Sequence, residues 1–320
     1  MDQINIVVTG QIPESGIELL LEKGYNVIQP QDQKAFSKKN FLEKAENADG
    51  ILTLLSDTID KSFIDKTNKL KVIANFAVGY NNIDIDYAKA KGIPVTNTPD
   101  VLTAATADLT WALILSVTKR IVESDTFTRS KKFTGWEPLL FLGGDVTGKT
   151  LGIIGAGRIG QAVAKRATGF DMKIIYYNPS PKPEFEKATG AVHMQLDDLL
   201  EQSDFISLHC PLTESTQHLL NVDNLKKMKP SAYIINTSRG PVIDEQALTA
   251  LLSEERIAGA GFDVYENEPE INKGLYSLPN VVLLPHIGSA TVETRNEMSR
   301  IAARNIISVI EGRGPINPVN

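Results

Sequence analysis

Thr150-Leu151-Gly152-Ile153-Ile154-Gly155-Ala156-Gly157-Arg158-Ile159-Gly160-Gln161-Ala162-Val163-Ala164-Lys165-Arg166 is the stretch that decides the fold. It opens as an apolar run, passes through a G-x-G-x-x-G match and continues with helical composition. Strand, glycine-rich turn and helix in that order mark a dinucleotide-binding unit; the bare glycine pattern does not. Gly155 permits the tight turn, Gly157 lets backbone approach a pyrophosphate, and Gly160 allows close helix–strand packing. The helix N-terminus then presents unpaired N–H groups and a positive dipole end. Because the motif lies near the middle of 320 residues, another segment precedes the nucleotide unit, and two domains are expected.

Composition narrows the class. Hydrophobic residues make up 42% and charged residues 22%, the values of a soluble globular chain. The formal net charge of −6 argues against a nucleic-acid partner, which would call for a basic stripe. An anionic substrate would need a local cation instead. Cys210 is the one cysteine, so no disulfide framework exists, which fits a reducing, cytoplasmic setting. Met1-Asp2-Gln3-Ile4-Asn5 lacks the pattern of a signal peptide, and Trp111–Leu115 is too short to span a bilayer. No metal-ligand spacing is present.

Short apolar runs alternate with helical stretches before the motif. Ile4–Val8, Tyr25–Ile28, Gly50–Leu55 and Leu70–Ala74 read as strands, and Pro13–Lys23 reads as a helix ending at Gly24. Such alternation predicts an α/β unit with a parallel sheet covered on both faces. After Thr98-Pro99-Asp100, a proline-free pattern from Val101 to Arg129 predicts one long helix. Beyond the motif, Lys173–Tyr177, Phe205–Leu208, Ala232–Asn236, Ala258–Phe262 and Val281–Leu284 are the further strands of a doubly wound Rossmann sheet. Residues 101–288 are expected to form the dinucleotide-binding domain. Residues 1–100 and 289–320 are expected to form a discontinuous substrate domain, the C-terminal helix from Thr291 to Glu311 returning to it.

Ligands of open α/β sheets bind beyond the carboxyl ends of the strands. There the chain places Arg239, Glu268 and His286, each shortly after a predicted strand. Reduction of a carbonyl needs a proton donor for the developing alkoxide, and histidine titrates nearest neutrality. A carboxylate partner would orient the ring and favour its charged form. Arginine grips a carboxylate bidentately and polarises an adjacent carbonyl. The set predicts a small 2-oxo acid reduced to a 2-hydroxy acid by a nicotinamide cofactor.

The segments Gly152–Gly160, Met228-Lys229-Pro230 with Asn236–Gly240, Gly261–Pro269 and Leu284–Thr291 resemble the D-isomer-specific 2-hydroxyacid dehydrogenases. Within that family, Asp100–Asp108 and Phe133–Leu139 resemble the glyoxylate/hydroxypyruvate reductases. The resemblance implies a Rossmann domain plus a flavodoxin-like substrate domain. It implies Arg239 as substrate clamp, Glu268 as partner of the histidine and His286 as acid/base. It implies backbone contacts to the substrate carboxylate from Phe76, Ala77, Val78 and Gly79. Trp136 would reach the substrate pocket from the partner subunit of a homodimer formed through residues 101–141. The cofactor site implied comprises Gly155, Gly157, Arg158, Ile159 and Gly160, with Asn178 and Ser180 at the ribose. Thr106, Cys210, Pro211, Thr216, Thr237, Ser238, Asp263, Gly288 and Ser289 would also contact the cofactor, Cys210 beneath the adenosine and Asp263 at the nicotinamide.

Which nicotinamide is bound turns on the strand ending at Tyr177. An acid about twenty residues after the glycines normally accepts from the ribose diol. Asn178 stands there, with no charge to repel a 2′-phosphate, and Ser180 and Lys182 follow. These residues favour NADP(H) over NAD(H). Two alternatives stay open: a reductase for another 2-oxo acid, such as 2-ketogluconate or a bulkier D-2-hydroxy acid, and a dinucleotide-sensing corepressor-type protein. Cys210 reads as a packed thiol, His193 and His218 as surface residues, and His209 as lying beside the cofactor edge.

Overall fold

The computed structural model describes residues 3–32 and 36–320; Met1 and Asp2 of the N-terminal stretch fall outside these. The chain divides into two compact units, Met1–Leu102 with Ser289–Asn320, and Thr103–Gly288.

The first unit begins with β1 (Asn5–Val8), α1 (Glu14–Glu22), β2 (Asn26–Ile28), α2 (Lys38–Ala45), β3 (Gly50–Thr53), α3 (Lys61–Ile64), β4 (Val72–Asn75), α4 (Ile85–Ala90) and β5 (Val95–Thr96). The strands are all parallel in the order β2-β1-β3-β4-β5, which is the flavodoxin-like order. Side chains alternate between the two faces, as strand geometry requires. Val7, Ile51 and Ile73 join one apolar cluster, while Ile6, Leu52 and Val72 join the other. Asp60 and Asp84 end the loops before α3 and α4 by accepting from the N–H groups of Phe63 and Tyr87.

The second unit opens with α5 (Thr103–Thr118) and α6 (Ile121–Arg129). Here the expected single helix is corrected. Arg120 adopts a left-handed conformation (φ 54°) and ends the ladder. Its guanidinium pairs with Glu123 and lies 5.1 Å from the Phe141 ring centroid, while Gly144 N–H takes the Thr118 carbonyl. These contacts outweigh the modest helical preference of the intervening residues.

Then follow β6 (Thr150–Ile154), α7 (Arg158–Ala167), β7 (Lys173–Tyr177), α8 (Pro183–Thr189), β8 (Val192–His193), α9 (Leu196–Gln202), β9 (Phe205–Leu208), α10 (Val222–Leu225), β10 (Tyr233–Asn236), α11 (Glu245–Ser253), β11 (Gly259–Phe262) and β12 (Val281–Leu283). The parallel order β12-β11-β10-β9-β6-β7-β8 is doubly wound, and it reverses direction between β6 and β9. Ile234 packs under α11 on one face, and Ile235 packs under α5 on the other. Trp111 anchors α5: its indole N–H donates to Val163 O at 3.0 Å, and its ring stacks on Phe170. Burying each such large apolar side chain stabilises by roughly 1.5–3 kcal/mol.

Helix α12 (Val292–Ile310), capped by the Thr291 side chain, returns to the first unit and packs on α1, β3 and β4. Gly16 N–H donates to Ser299 Oγ, and that hydroxyl donates to Pro13 O. A Cβ on Gly16 would overlap the Ser299 backbone. Gly16→Ala should therefore destabilise the protein by about 1–3 kcal/mol. A guanidinium chloride titration checks this: the midpoint should fall, and an unchanged midpoint would mean that α12 retreats at no cost.

Candidate active site

The turn after β6 is built by steric exclusion. Gly155 has φ +96°, and a Cβ there would lie 2.5 Å from Cys210 N. A Cβ on Gly160 would overlap Gly155 O, so α7 starts against the turn itself. Gly157 differs, since a Cβ there would meet nothing within 4 Å. Gly157 is also the N-cap of α7, with no side chain satisfying the first N–H groups. The open space and the uncapped helix start fit a dinucleotide pyrophosphate.

Several of the expected cofactor side chains are engaged in hydrogen bonds within the protein. Thr106 Oγ1 donates to Gly288 O at 3.0 Å, and Thr110 and Thr237 hydroxyls meet at 2.9 Å. Ser238 donates to Asn236 Oδ1. Thr216 closes its own turn by donating to Pro211 O and accepting from Thr213 N–H. Asn178 Nδ2 donates to Ser180 O, and its carbonyl meets His193 Nε2 at 2.9 Å. No carboxylate stands at the end of β7.

Beyond β11 and β12 two loops come together. His286 Nδ1 lies 2.8 Å from Glu268 Oε2, and each side chain is about one-third exposed. The other Glu268 oxygen accepts from Tyr265 N–H at 2.9 Å. An ionised carboxylate only accepts, so Nδ1 carries the hydrogen and Nε2 is the nitrogen left to exchange a proton. Burial works to raise the Glu268 pKa, but the His286 bond and charge, the Tyr265 N–H and the Arg239 charge outweigh it and hold the carboxyl below its ordinary value.

His286 has a left-handed backbone (φ 55°). It is held there from both sides: Tyr265 Oη donates to Leu284 O at 2.8 Å, and Ile287 N–H donates to Asp263 Oδ1 at 2.7 Å. Such over-determined strain is common at functional sites. Asp263 is buried, which pushes its carboxyl upwards against the pull of the Ile287 N–H. Arg239 Nη1 donates to Ser238 O at 2.7 Å, and Asn236 Nδ2 braces Arg239 O. Desolvation lowers its pKa, partly offset by Glu268.

A family model described as the D-isomer specific 2-hydroxyacid dehydrogenase NAD-binding domain matches residues 111–288. A glyoxylate reductase of Thermococcus litoralis is 53% identical over 319 residues, covering 98% of this chain and 96% of its own length. The chain belongs to the D-isomer-specific 2-hydroxyacid dehydrogenases. Members of this family are NAD(P)-dependent oxidoreductases, and this chain is one of them. The crystal structure of the TT0316 protein from Thermus thermophilus superposes with a TM-score of 0.93 at 42% identity, covering 99% of this chain and 100% of that one. An NADPH-dependent glyoxylate/hydroxypyruvate reductase from Sinorhizobium meliloti, solved with NADP and malonate, superposes with a TM-score of 0.86 at 32% identity, covering 99% and 97%.

Other expected residues of this dehydrogenase fall as follows. Phe76–Gly79 lies in the first unit, immediately after β4, and Ser289 begins that unit's second segment. Trp136 is 83% exposed, in an arm where Phe133, Leu139 and Leu142 are exposed too. His193 and His218 are partly exposed and bonded, His193 to Asn178 O and His218 Nε2 to Glu266 at 2.6 Å. His209 is bonded to Ser207 Oγ, has a buried and unpartnered Nδ1, and is pushed down to about 3 by desolvation. Tyr265 and Thr110 were not singled out by sequence, because Tyr265 Oη–Leu284 O and Thr110–Thr237 join residues far apart in the chain; Asn236, which bonds its neighbours Ser238 and Arg239, was legible only as part of the segment Asn236–Gly240. Among the described residues no group of acids, histidines or cysteine could hold a metal.

Cys210 is buried, and burial pushes its thiol up to about 11. At pH 8 only about 0.1% would be thiolate, the reactive form. Iodoacetamide should label it at least ~100-fold more slowly in the native protein than after denaturation. Peptide mass spectrometry follows the labelling; comparable rates would show the thiol to be accessible and ionised.

Proposed function

We propose that this dehydrogenase reduces glyoxylate and hydroxypyruvate, to glycolate and D-glycerate. The observation that carries this is the Glu268–His286 pair, with Nδ1 held by the carboxylate and Nε2 left to serve the substrate. Arg239, braced through Asn236, would hold the substrate carboxylate and polarise its carbonyl. A bound reduced nicotinamide would supply the hydride to the carbonyl carbon. His286 would give its Nε2 proton to the carbonyl oxygen, and Glu268 would stabilise the imidazolium before the transfer. The turn at Gly155–Gly160 would take the pyrophosphate, with Arg158 and Ile159 opening the helix over it. Asp263 would meet the nicotinamide and Cys210 would lie beneath the adenosine, with Thr106, Pro211, Thr216 and Gly288 also lining the cofactor. The loop Phe76–Gly79 would meet the substrate carboxylate with its main-chain amides.

The exposed arm carrying Phe133, Trp136 and Leu139 supports a homodimer in which Trp136 enters the partner's pocket. A panel of 2-oxo acids tests the reading: turnover should be highest with glyoxylate and hydroxypyruvate. Higher turnover with 2-ketogluconate or a bulkier 2-oxo acid would replace them as substrates, and no turnover despite cofactor binding would revive a binding role. Arg239→Ala should lower kcat/KM by about 10³-fold or more while cofactor affinity holds. His286→Gln should remove one ionisation from the pH–rate profile; an unchanged profile would remove His286 as the donor.

NADP(H) is the proposed cofactor, because Asn178 places no negative charge at the ribose. Asn178→Asp should lower kcat/KM for NADPH relative to NADH by about ten-fold or more, through repulsion of the 2′-phosphate. Initial rates with both cofactors check this. A clear NADH preference in the unaltered enzyme would overturn the assignment.

A further inference from the structure

Three consecutive carbonyls after β4 are pulled back into the first unit. Ala77 O accepts from Thr98 N–H at 2.9 Å. Val78 O accepts from Asn97 Nδ2 at 2.8 Å, and Gly79 O accepts from Asn75 Nδ2 at 2.8 Å. In a planar trans peptide the N–H points opposite to the C=O. Fixing these carbonyls therefore turns the N–H groups of Val78, Gly79 and Tyr80 the other way, and no acceptor is paired with them among the described residues. Successive outward amides of this kind make an anion-binding concavity.

The two asparagines differ in how firmly they are held. Asn75 is fully buried, and its second Nδ2 hydrogen goes to Asn82 Oδ1 at 3.2 Å. Asn82 in turn donates to Leu54 O and Asp57 O. Asn75 Oδ1 is buried with no partner, a cost carried to keep Nδ2 on Gly79 O. Flipping the amide would set oxygen against oxygen at both contacts, so its orientation is fixed by its neighbours. Asn97 is half-buried and tied through its own N–H to Asn317 O.

We infer that Asn75 and Asn97 are positioning residues: their side-chain amides hold the Val78 and Gly79 carbonyls inward so that the main-chain N–H groups of Gly79 and Tyr80, beside that of Val78, receive the carboxylate of a 2-oxo acid. The inference rests on the 2-oxo acid reductase reading above. It extends that reading from the loop to the side chains that set the loop's polarity. The loop's own contribution comes from dipoles whose direction is fixed before the anion arrives.

Asn97→Asp tests this with a nearly isosteric side chain that replaces a donor by an acceptor and repels Val78 O. KM for glyoxylate should rise about ten-fold or more, the loss of one hydrogen bond to a charged group, with kcat and the NADPH Kd changing less than about two-fold. Asn97→Ala, which adds no charge, should move KM in the same direction by less. Equal losses in kcat and kcat/KM, or an unchanged KM in both folded variants, would overturn the positioning role. A second readout needs no turnover. In amide-resolved NMR of the full chain, sodium oxamate should shift the Val78, Gly79 and Tyr80 signals in the unaltered protein and not in Asn97→Asp. Absence of those shifts in the unaltered protein would overturn the inference. Shifts without turnover of any 2-oxo acid would instead leave the loop as an anion site and remove the reductase reading.

Discussion

The second unit depends on a close approach between two backbones. At Gly155 the end of β6 passes so near the end of β9 that a Cβ would lie 2.5 Å from Cys210 N. That approach sits where the strand order reverses, the switch point of a doubly wound sheet. Only glycine permits it, and only the left-handed turn that glycine adopts aims α7 back over the sheet. The open space at Gly157 follows from the same turn. Chain direction does the rest: with every strand parallel, the loops after β10, β11 and β12 must open on the edge where the glycine turn lies.

That shared edge brings Arg239, Glu268 and His286 within one unit although they are dispersed in sequence. Their geometry is imposed by backbone contacts, not by the three side chains alone. Tyr265 supports the site twice, its N–H holding Glu268 and its hydroxyl holding the carbonyl two residues before His286. Asp263 holds the N–H that follows His286. The strained φ of His286 is the local cost of aiming its ring, of order 1–2 kcal/mol, offset by two hydrogen bonds that bracket it.

How much of this was legible in the sequence depends on the range of the signal. The parallel α/β architecture was, because each strand and the helix after it are a local pattern bounded by turns. The placement of Arg239, Glu268 and His286 beyond strand ends was, because that position is also local. The break at Arg120 was not: it is set by Glu123, Phe141 and Gly144, and the last two lie more than twenty residues away. Strands β5 and β8, two residues each at sheet edges, carry too few residues for a period to show. The partners of His193 and His218, Asn178 and Glu266, were not legible, because only the fold brings them near. The same holds for Asn97, because the Val78 carbonyl that faces it lies well away in sequence.

A net charge of −6 raises the question of how such a chain handles anions at all. Its answer is largely dipolar. At the start of α7 the proposed phosphate site offers N–H groups that no side chain caps and no acid in the first turn. After β4 the proposed carboxylate site offers amides turned outward by two neutral asparagines. Dipoles fixed by the fold do not have to be reoriented when charge arrives, so they favour the bound anion without the desolvation cost of burying many cations. Formal positive charge supplements these dipoles at few points: Arg158 at the first position of α7, and Arg239 beside the Glu268-held His286.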